Sequence, residues 1–392
     1  MLVSDFISRV RNYINSNTQG RVEDSDIQDY INEWFRFSRT RYLLPWSERT
    51  TELKVFPGIF SYASPSDFVT AKPPQRQISA SQNDDTAFHS TTQKEFARNR
   101  FLANYFDVTW ERDTKYLQIR YTNTLGEQVG HTLDSVDDNG TWAVAGDGSS
   151  LVADSGIFRE GSASLRFDVT NSSNSVTLTN SDMTAIDLSA STSSVTNPDF
   201  KNNSYVFFWV YLPVTGVTSI AIKWGSGSGD YYTNSATANY DGSALRVGWN
   251  LIGVAWPTTD TGTPDDEAIN YLQVTLTGAT TGNGYRVDHI SFKKWVNLDL
   301  HYYSNQLCTN TGGTYQESIS ASSDVIIGDL DFIEGAVYFV GKSCAEYKLS
   351  DATMRAIFEP KLQFVLRQLD RRYPSQEAKV SSFYISNNIL RS

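Results

Sequence analysis

The sequence predicts an α+β multidomain protein, in which a helical frame with a small β-sheet is split by an inserted all-β jelly-roll sandwich. Helical periodicity is confined to the two ends of the 392-residue chain. Short alternating strands separated by turn residues fill the middle. Acidic residues are concentrated in the same middle segment, which carries 6 Lys and Arg against 18 Asp and Glu over 126–292. A charge shift of this size favours a domain boundary on each side.

The first 125 residues predict helices, then strands. Apolar spacing indicates a helix over 4–15 behind a Ser4 cap and a second over 25–42. A further short helix is expected in "TTQKEFARNRFLA". The strand candidates are "TELKVF", "GIFSYAS" and "KYLQIRYT".

The segment 126–294 reads as a β-sandwich, because its alternating apolar runs are short and no helical pattern interrupts them. Seven strand candidates follow one another: "SLRFDVT", "SVTLTN", "YVFFWVYLP", "SIAIKWG", "WNLIGVAW", "YLQVTLTG" and "YRVDHISF".

The frame resumes at 295 and runs to 380. "VNLDLHYY" repeats the pattern of "KYLQIRYT", so the two strands are expected to pair across the insert. Helices follow over 329–347 and 351–372, the second with a kink or break at Pro360. Residues 381–392 read as an extended tail.

Several classes of protein are disfavoured. No run of about 18 apolar residues is present, so no membrane span is expected. The N-terminal stretch lacks the apolar core of a signal peptide. The two cysteines, Cys308 and Cys344, make neither a disulfide framework nor a zinc site. Nucleophile, metalloprotease and phosphate-loop motifs are absent, so no catalytic residue and no enzyme activity are predicted.

Carboxylates in the insert suggest a calcium site. Asp134 and Asp288 lie near its first and last strands, which can be neighbours in a sandwich, and Glu160 precedes a strand. The three could meet as oxygen ligands for calcium. The alternative is that they are solvated turn carboxylates on an acidic domain.

Aromatic residues in the insert suggest a sugar platform. Trp224, Tyr231 and Tyr232 flank the glycine-rich turn 225–230 and are the candidates for exposure and glycan binding. The alternative is that these rings pack in the core or at its rim.

The stretch "IQDYINEWFRFSRTRYLLPW" predicts a helix with an unusually broad apolar face. The face is wide enough to touch two neighbours, and an arginine at its rim can pair with an acidic group. Trp34, Phe37 and Arg41 are therefore expected at a subunit interface. The two flanks together are nearly neutral, which argues against a free duplex-binding protein.

The flanks resemble the head-to-tail adaptor (connector) proteins of tailed bacteriophages, of the tail tubular protein A type. The resemblance rests on Tyr30-Ile31-Asn32-Glu33, on the turn from Gly58 to Phe68, on Glu95-Phe96 and on Ser322-Ser323-Asp324. It departs from the family at Trp34, where a small residue is usual. It covers about 220 residues, all in the flanks.

This resemblance implies a structural virion neck protein, assembled in the host cytoplasm. The chain would form a homo-oligomeric, dodecameric ring that binds portal and tail proteins and leaves a channel for genomic DNA. The sandwich would be an outward decoration, and the tail would add a strand to a partner's sheet through Phe383, Tyr384, Ile385, Ile389 and Leu390.

The insert separately resembles a carbohydrate-binding-module jelly roll, through "EGSASLRFDV" and "YRVDHISF". In that group the residues matching Glu160 and Asp288 often help to hold calcium. A second function therefore stays open: a glycan-binding virion module for host attachment. A polysaccharide-degrading enzyme is disfavoured by the missing acid/base signature.

Overall fold

The computed structural model describes residues 1–14, 21–59, 61–71, 76–78, 106–109, 116–121, 130–171, 175–188, 204–257 and 259–373. The chain forms two compact units. The first comprises Met1–Thr51, Pro65–Lys72 and Leu300–Ser392, and the second comprises Glu52–Ser64 and Pro73–Asp299. The second unit therefore takes in more of the chain than the predicted insert 126–294.

The first unit contains four helices among its described residues: α1 (Val3–Ile14), α2 (Asp24–Arg41), α3 (Leu330–Ser343) and α4 (Ala352–Arg372). A π-helical segment, Cys344–Leu349, follows α3. Because α1 begins at Val3, Ser4 is not its cap as predicted. Asp329 and Asp351 cap α3 and α4, where their side chains accept hydrogen bonds from backbone N–H groups.

Helix α4 runs through Pro360 without interruption, so a break at this position is the wrong prediction. Pro360 lies on the exposed face of the helix. Its ring therefore faces solvent, while the opposite face packs in the core and keeps the helix continuous despite the lost hydrogen bond. The buried face consists of Phe358, Leu362, Val365, Leu366 and Leu369.

The core of the first unit is aromatic at its centre. Trp34 of α2 is fully buried and stacks on Phe37, with ring centroids 5.6 Å apart. Phe332 and Phe339 of α3 lie 5.6 Å and 5.5 Å from the same ring. Apolar stripes of all four helices thus close on one cluster.

Three small sheets involve the flanking strands. The first has the order β1 (Glu48–Val55), β19 (Val296–Ser304), β3 (Phe68–Ala71), with β4 (Arg76–Ile78) also on β19. The second runs β2 (Ser61–Ala63), β6 (Tyr116–Tyr121), β5 (Phe106–Thr109). The third runs β21 (Tyr315–Gln316), β20 (Cys308–Thr309), β22 (Val325–Ile326). Since β6 and β19 lie in different sheets, the predicted pairing of "KYLQIRYT" with "VNLDLHYY" is wrong.

The β-sandwich is confirmed, with two six-stranded antiparallel sheets. The front sheet has the order β15 (Gly248–Ala255), β12 (Ser204–Leu212), β18 (Gly282–Lys294), β10 (Ser164–Val169), β9 (Gly148–Asp154), with β7 (Gly130–Asp134) on β18. The back sheet has the order β16 (Asp260–Thr261), β14 (Tyr231–Ala236), β13 (Ser219–Gly225), β17 (Tyr271–Thr277), β11 (Ser175–Asn180), β8 (Trp142–Gly146). All seven strand candidates form strands, and successive strands switch repeatedly between sheets, as in a jelly roll.

Alternation along β12 decides which side chains are available. Val206, Phe208 and Val210 point between the sheets into a fully buried core. The intervening residues lie on the outer face of the front sheet, because successive side chains of a strand point to opposite faces. Among the residues that the structure describes, no helix is both long and apolar enough to cross a membrane.

Candidate functional site

The outer face of the front sheet carries a row of aromatic side chains along β12, here called the aromatic row: Tyr205, Phe207, Trp209 and Tyr211. Tyr211 lies opposite Trp249 of β15. Their rings meet edge to face, with centroids 5.4 Å apart and an interplanar angle of 71°. Both side chains are partly exposed. This end of the row thus presents two large rings to solvent.

Arg286 lies beside Tyr211 on β18 and supports the ring electrostatically. Its guanidinium carbon is 5.1 Å from the ring centroid of Tyr211. Arg286 is buried and donates to Asp154 Oδ2 at 2.7 Å and 3.1 Å. The hydrogen bond from Arg286 lowers the pKa of Asp154 below its usual value. The pair is therefore charged at neutral pH and fixed beneath the exposed rings.

The other end of the aromatic row is covered by a segment of the same unit. Phe56 packs on Phe207 and Tyr205, with centroids 4.8 Å and 5.0 Å away. Tyr62 holds this segment in place, since its hydroxyl accepts from Phe56 N at 2.8 Å and donates to Ile59 O at 3.0 Å. This segment does not cover Tyr211, at the opposite end of the row.

A small pocket lies between the covered and open ends. It is lined by Phe207, Trp209 and Leu251, by Glu160, and by Ser291 and Lys293 of β18. Trp209 Nε1 donates to Glu160 Oε1 at 3.1 Å, and His289 Nε2 lies 3.3 Å from Glu160 Oε2. Arg159 covers the ring of Trp209, with its guanidinium carbon 4.5 Å from the centroid. Glu160 therefore fixes the N–H edge of the Trp209 indole, and Arg159 covers one face of the ring.

The predicted calcium ligands do not come together as a set. Among the described residues, no three His, Cys, Asp or Glu side chains are placed to share a metal ion. Asp134 points towards the back sheet, where its Oδ2 accepts from Trp142 Nε1 at 3.1 Å and from Asn180 Nδ2 at 2.9 Å. The set Asp134, Glu160 and Asp288 is therefore wrong, because the partly exposed Asp134 serves as a hydrogen-bond acceptor for Trp142 and Asn180.

Asp288 does contact Glu160, but its carboxylate meets the backbone of Glu160 and not the side chain. Asp288 Oδ2 accepts from the N–H groups of Arg159 at 2.6 Å and Glu160 at 3.2 Å. Its other oxygen, Oδ1, is buried and has no hydrogen-bond partner among the described residues. Burial raises the pKa of Asp288, more than these two hydrogen bonds lower it. Two carboxylates, one of them already bonded to Trp209 and His289, fall short of the six to eight oxygens that calcium takes.

The predicted glycan platform is wrong for two of its three residues. Trp224 is fully buried in the sandwich core, 5.4 Å from Trp256. Tyr232 is also buried, and its hydroxyl donates to Asp266 at 2.5 Å. Tyr231 is partly exposed, with Lys223 Nζ 4.2 Å above its ring. Proximity to a turn gave no information on the face to which each ring points.

The predicted subunit interface also needs correction. Trp34 is fully buried within its own chain, so it is unavailable to a neighbouring subunit. Phe37 stacks on Phe339 at 6.1 Å. Arg41 donates to both carboxylate oxygens of Asp370, at 3.1 Å and 2.8 Å, so its acidic partner lies in the same chain. The tail residues Phe383, Tyr384, Ile385, Ile389 and Leu390 lie outside the described residues.

The residues that sequence reasoning missed are Tyr211, Trp249 and Arg286. A signal for Tyr211 was present in "YVFFWVYLP", whose alternation places aromatic residues at every second position.

No known protein-family profile matches the chain, and no curated protein matches it. Several solved structures do match.

One comes from work on the promiscuous specificity of carbohydrate-binding modules of the β-sandwich superfamily. It is 9% identical to this chain, with a TM-score of 0.31, and the match covers 63% of this chain and 97% of that chain. Another is the family 11 carbohydrate-binding module of cellulase Lic26A-Cel5E of Clostridium thermocellum, at 12% identity and a TM-score of 0.27, covering 42% and 94%. A third is a family 30 carbohydrate-binding module, at 14% identity and a TM-score of 0.28, covering 40% and 92%. The site described above rests on this chain's own geometry.

Proposed function

We propose that the second unit binds a glycan on the outer face of its front sheet. The observation that carries the proposal is the pair formed by Tyr211 and Trp249, two partly exposed rings in contact on one face. A sugar ring has an apolar C–H face and polar edges. Aromatic rings can stack on the C–H face of the sugar, while fixed polar groups beside them form hydrogen bonds with its hydroxyl groups.

Charged pairs beside the rings supply the polar groups. Arg286 and Asp154 form one pair, and Arg166 and Asp168 of β10 form another at 3.4 Å. Both pairs are partly buried, which keeps their geometry fixed. The role proposed is binding and not hydrolysis. Asp154 has a lowered pKa and is ionised at neutral pH, whereas a glycosidase acid must hold its proton.

A glycan array probed with the purified full chain, followed by calorimetry on the best ligand, tests this function. Trp249→Ala and Tyr211→Ala should each weaken binding by about tenfold or more, the range expected for loss of one stacking ring. Tyr231→Ala is the matched control, because Tyr231 is a partly exposed tyrosine of the back sheet. Equal losses in the control and the two variants would refute the placement of the site. Full affinity in Trp249→Ala would do the same.

A second candidate function is the ring-forming virion neck adaptor, with portal and tail proteins as partners and genomic DNA in its channel. The observation that favours it is on α4, where Ile357 is 52% and Phe364 63% exposed. These residues are seven positions apart and so share one helix face. Light scattering and negative-stain imaging should show a closed ring that Phe364→Glu disrupts. A monomer at all concentrations would count against this candidate.

A further inference from the structure

The pocket beside Trp209 contains the buried hydroxyl group of Ser291, which lacks a hydrogen-bond partner among the described residues. Ser291 is only 4% exposed, and its Oγ has no hydrogen-bond partner among the described residues. A buried polar group without a partner is costly, so such groups usually meet water or a ligand. Because Ser291 lines the pocket, a polar group that enters there can satisfy it.

A cationic group lines the same pocket. Lys293 is half-buried, and the part of the chain that the structure describes contains no residue that accepts a hydrogen bond from it. Burial lowers the pKa of Lys293, while the charge of Glu160 raises it. A partly desolvated ammonium of this kind gains from an anion placed against it.

Within the chain, Glu160 is not the anion that pairs with Lys293. One of its oxygens accepts from Trp209 Nε1 at 3.1 Å, and the other lies 3.3 Å from His289 Nε2. Its nearest basic side chain is His289. The rest of the lining is largely apolar and consists of Ile59, Phe207, Phe208, Trp209 and Leu251. The enclosed space is about the size of one water molecule, so it admits a single oxygen atom of a bound group.

We propose that this pocket receives one oxygen of the carboxylate of an acidic sugar, with Lys293 and Ser291 as its donors. The inference rests on the proposed glycan-binding function and names the class of glycan. The sugar ring would lie at the mouth of the pocket, and Tyr211, two positions beyond Trp209 along β12 and about 7 Å away, would contact the next ring.

The charge of the surrounding segment narrows the ligand further. Residues 126–292 carry 18 acidic against 6 basic residues, so a long polyanion is repelled. A glycan with an isolated uronic acid in an otherwise neutral chain fits both the local cation and the acidic surroundings.

Calorimetry on the full chain with one matched pair of ligands tests the inference. The probe is a glucuronic-acid-bearing tetrasaccharide, and its partner is the same molecule with the carboxyl group reduced to the alcohol. The acidic form should bind about tenfold more tightly, the value of one charged hydrogen bond. Lys293→Met keeps the apolar stem and removes the charge, so the preference should fall to about onefold.

Two controls separate the outcomes. Lys223→Met removes a lysine of the back sheet, which lies over Tyr231, and should keep the preference. Ser291→Ala should weaken the acidic form more than the reduced one. Equal affinity of the two ligands, with the loss in Trp249→Ala intact, would overturn the acidic-sugar inference alone. Failure of both ligands and of the whole array would overturn the glycan-binding function itself.

Discussion

The indole of Trp34 lies directly over Gly335, so close that a Cβ atom at position 335 would come within 2.9 Å of two ring carbons. Helices α2 and α3 approach each other at this point, and the missing side chain of Gly335 makes room for the largest side chain in the core. This relationship explains how the first unit accommodates Trp34 in its core.

Gly335→Ala should therefore destabilise the first unit by about 1–3 kcal/mol, although alanine has the higher helix propensity, because overpacking outweighs propensity here. Chemical denaturation followed by tryptophan fluorescence measures the change. Gly227→Ala is the control, since a Cβ there meets nothing within 4 Å. A stabilised Gly335→Ala variant would show that α2 and α3 are free to separate.

Asp288→Asn should raise the free energy of unfolding at pH 7. Burial raises the pKa of Asp288 in the folded state, so its ionised form is destabilising, and this cost grows as pH rises from the unfolded pKa through the folded one. The gain of the variant should vanish below about pH 4, where both states are protonated.

Thermal unfolding from pH 3 to 8 checks this, with the exposed Asp260→Asn as the control. A run with calcium and one with a chelator decide the role of the carboxylate. If calcium stabilised the natural chain and Asp288→Asn lost that gain, Asp288 would be a cation ligand and the prediction would be wrong.

Asp154→Asn should destabilise the second unit by about 2 kcal/mol at neutral pH, because it leaves the buried Arg286 without its charged acceptor. The lowered pKa of Asp154 means that its contribution is present above the unfolded pKa and is lost as pH falls through the folded one. The unfolding free energies of the natural chain and the variant should therefore converge at acid pH. Parallel pH curves would contradict the assignment.

Arg41→Ala should cost less than about 1 kcal/mol and leave the association state unchanged, because its partner Asp370 belongs to the same chain and the pair is largely exposed. A double-mutant cycle with Asp370→Asn measures the coupling, and light scattering measures association. The exposed Arg36→Ala serves as the control. Loss of a higher oligomer in Arg41→Ala alone would restore the predicted interface.

The sequence predicted where strands occur, but it did not predict which side chains of a strand point to solvent. Seven of the twelve sandwich strands were predicted, because each half-buried strand repeats its apolar residues at every second position, which is a local property. Whether Trp224 or Tyr211 reaches solvent depends on which sheet each strand joins and on what covers its outer side. Phe56 covers part of β12 from a distant part of the chain, and no local pattern encodes that contact.

Trp34 shows the same limit in a helix. Its broad apolar face was correctly predicted, and two neighbours were inferred from its width. The structure supplies contacts from within the chain, among them Phe332 and Phe339 of α3, so no second subunit is needed to bury the indole. A wide apolar face predicts that a helix is buried. It does not tell whether another helix of the same chain or a second subunit covers that face. Asp134 likewise found its partners, Trp142 and Asn180, across the sandwich.

The split of the first unit between the two ends of the chain has a consequence for folding. Helices α1 and α2 are synthesised early, but their apolar stripes pack against α3 and α4, which emerge only after the whole sandwich. Closing so long a loop is entropically costly and slow. Strand β1 follows the two early helices and β19 precedes the two late ones, and these strands lie side by side as hydrogen-bonded neighbours. Pairing of β1 with β19 thus turns a closure across the whole chain into a short one.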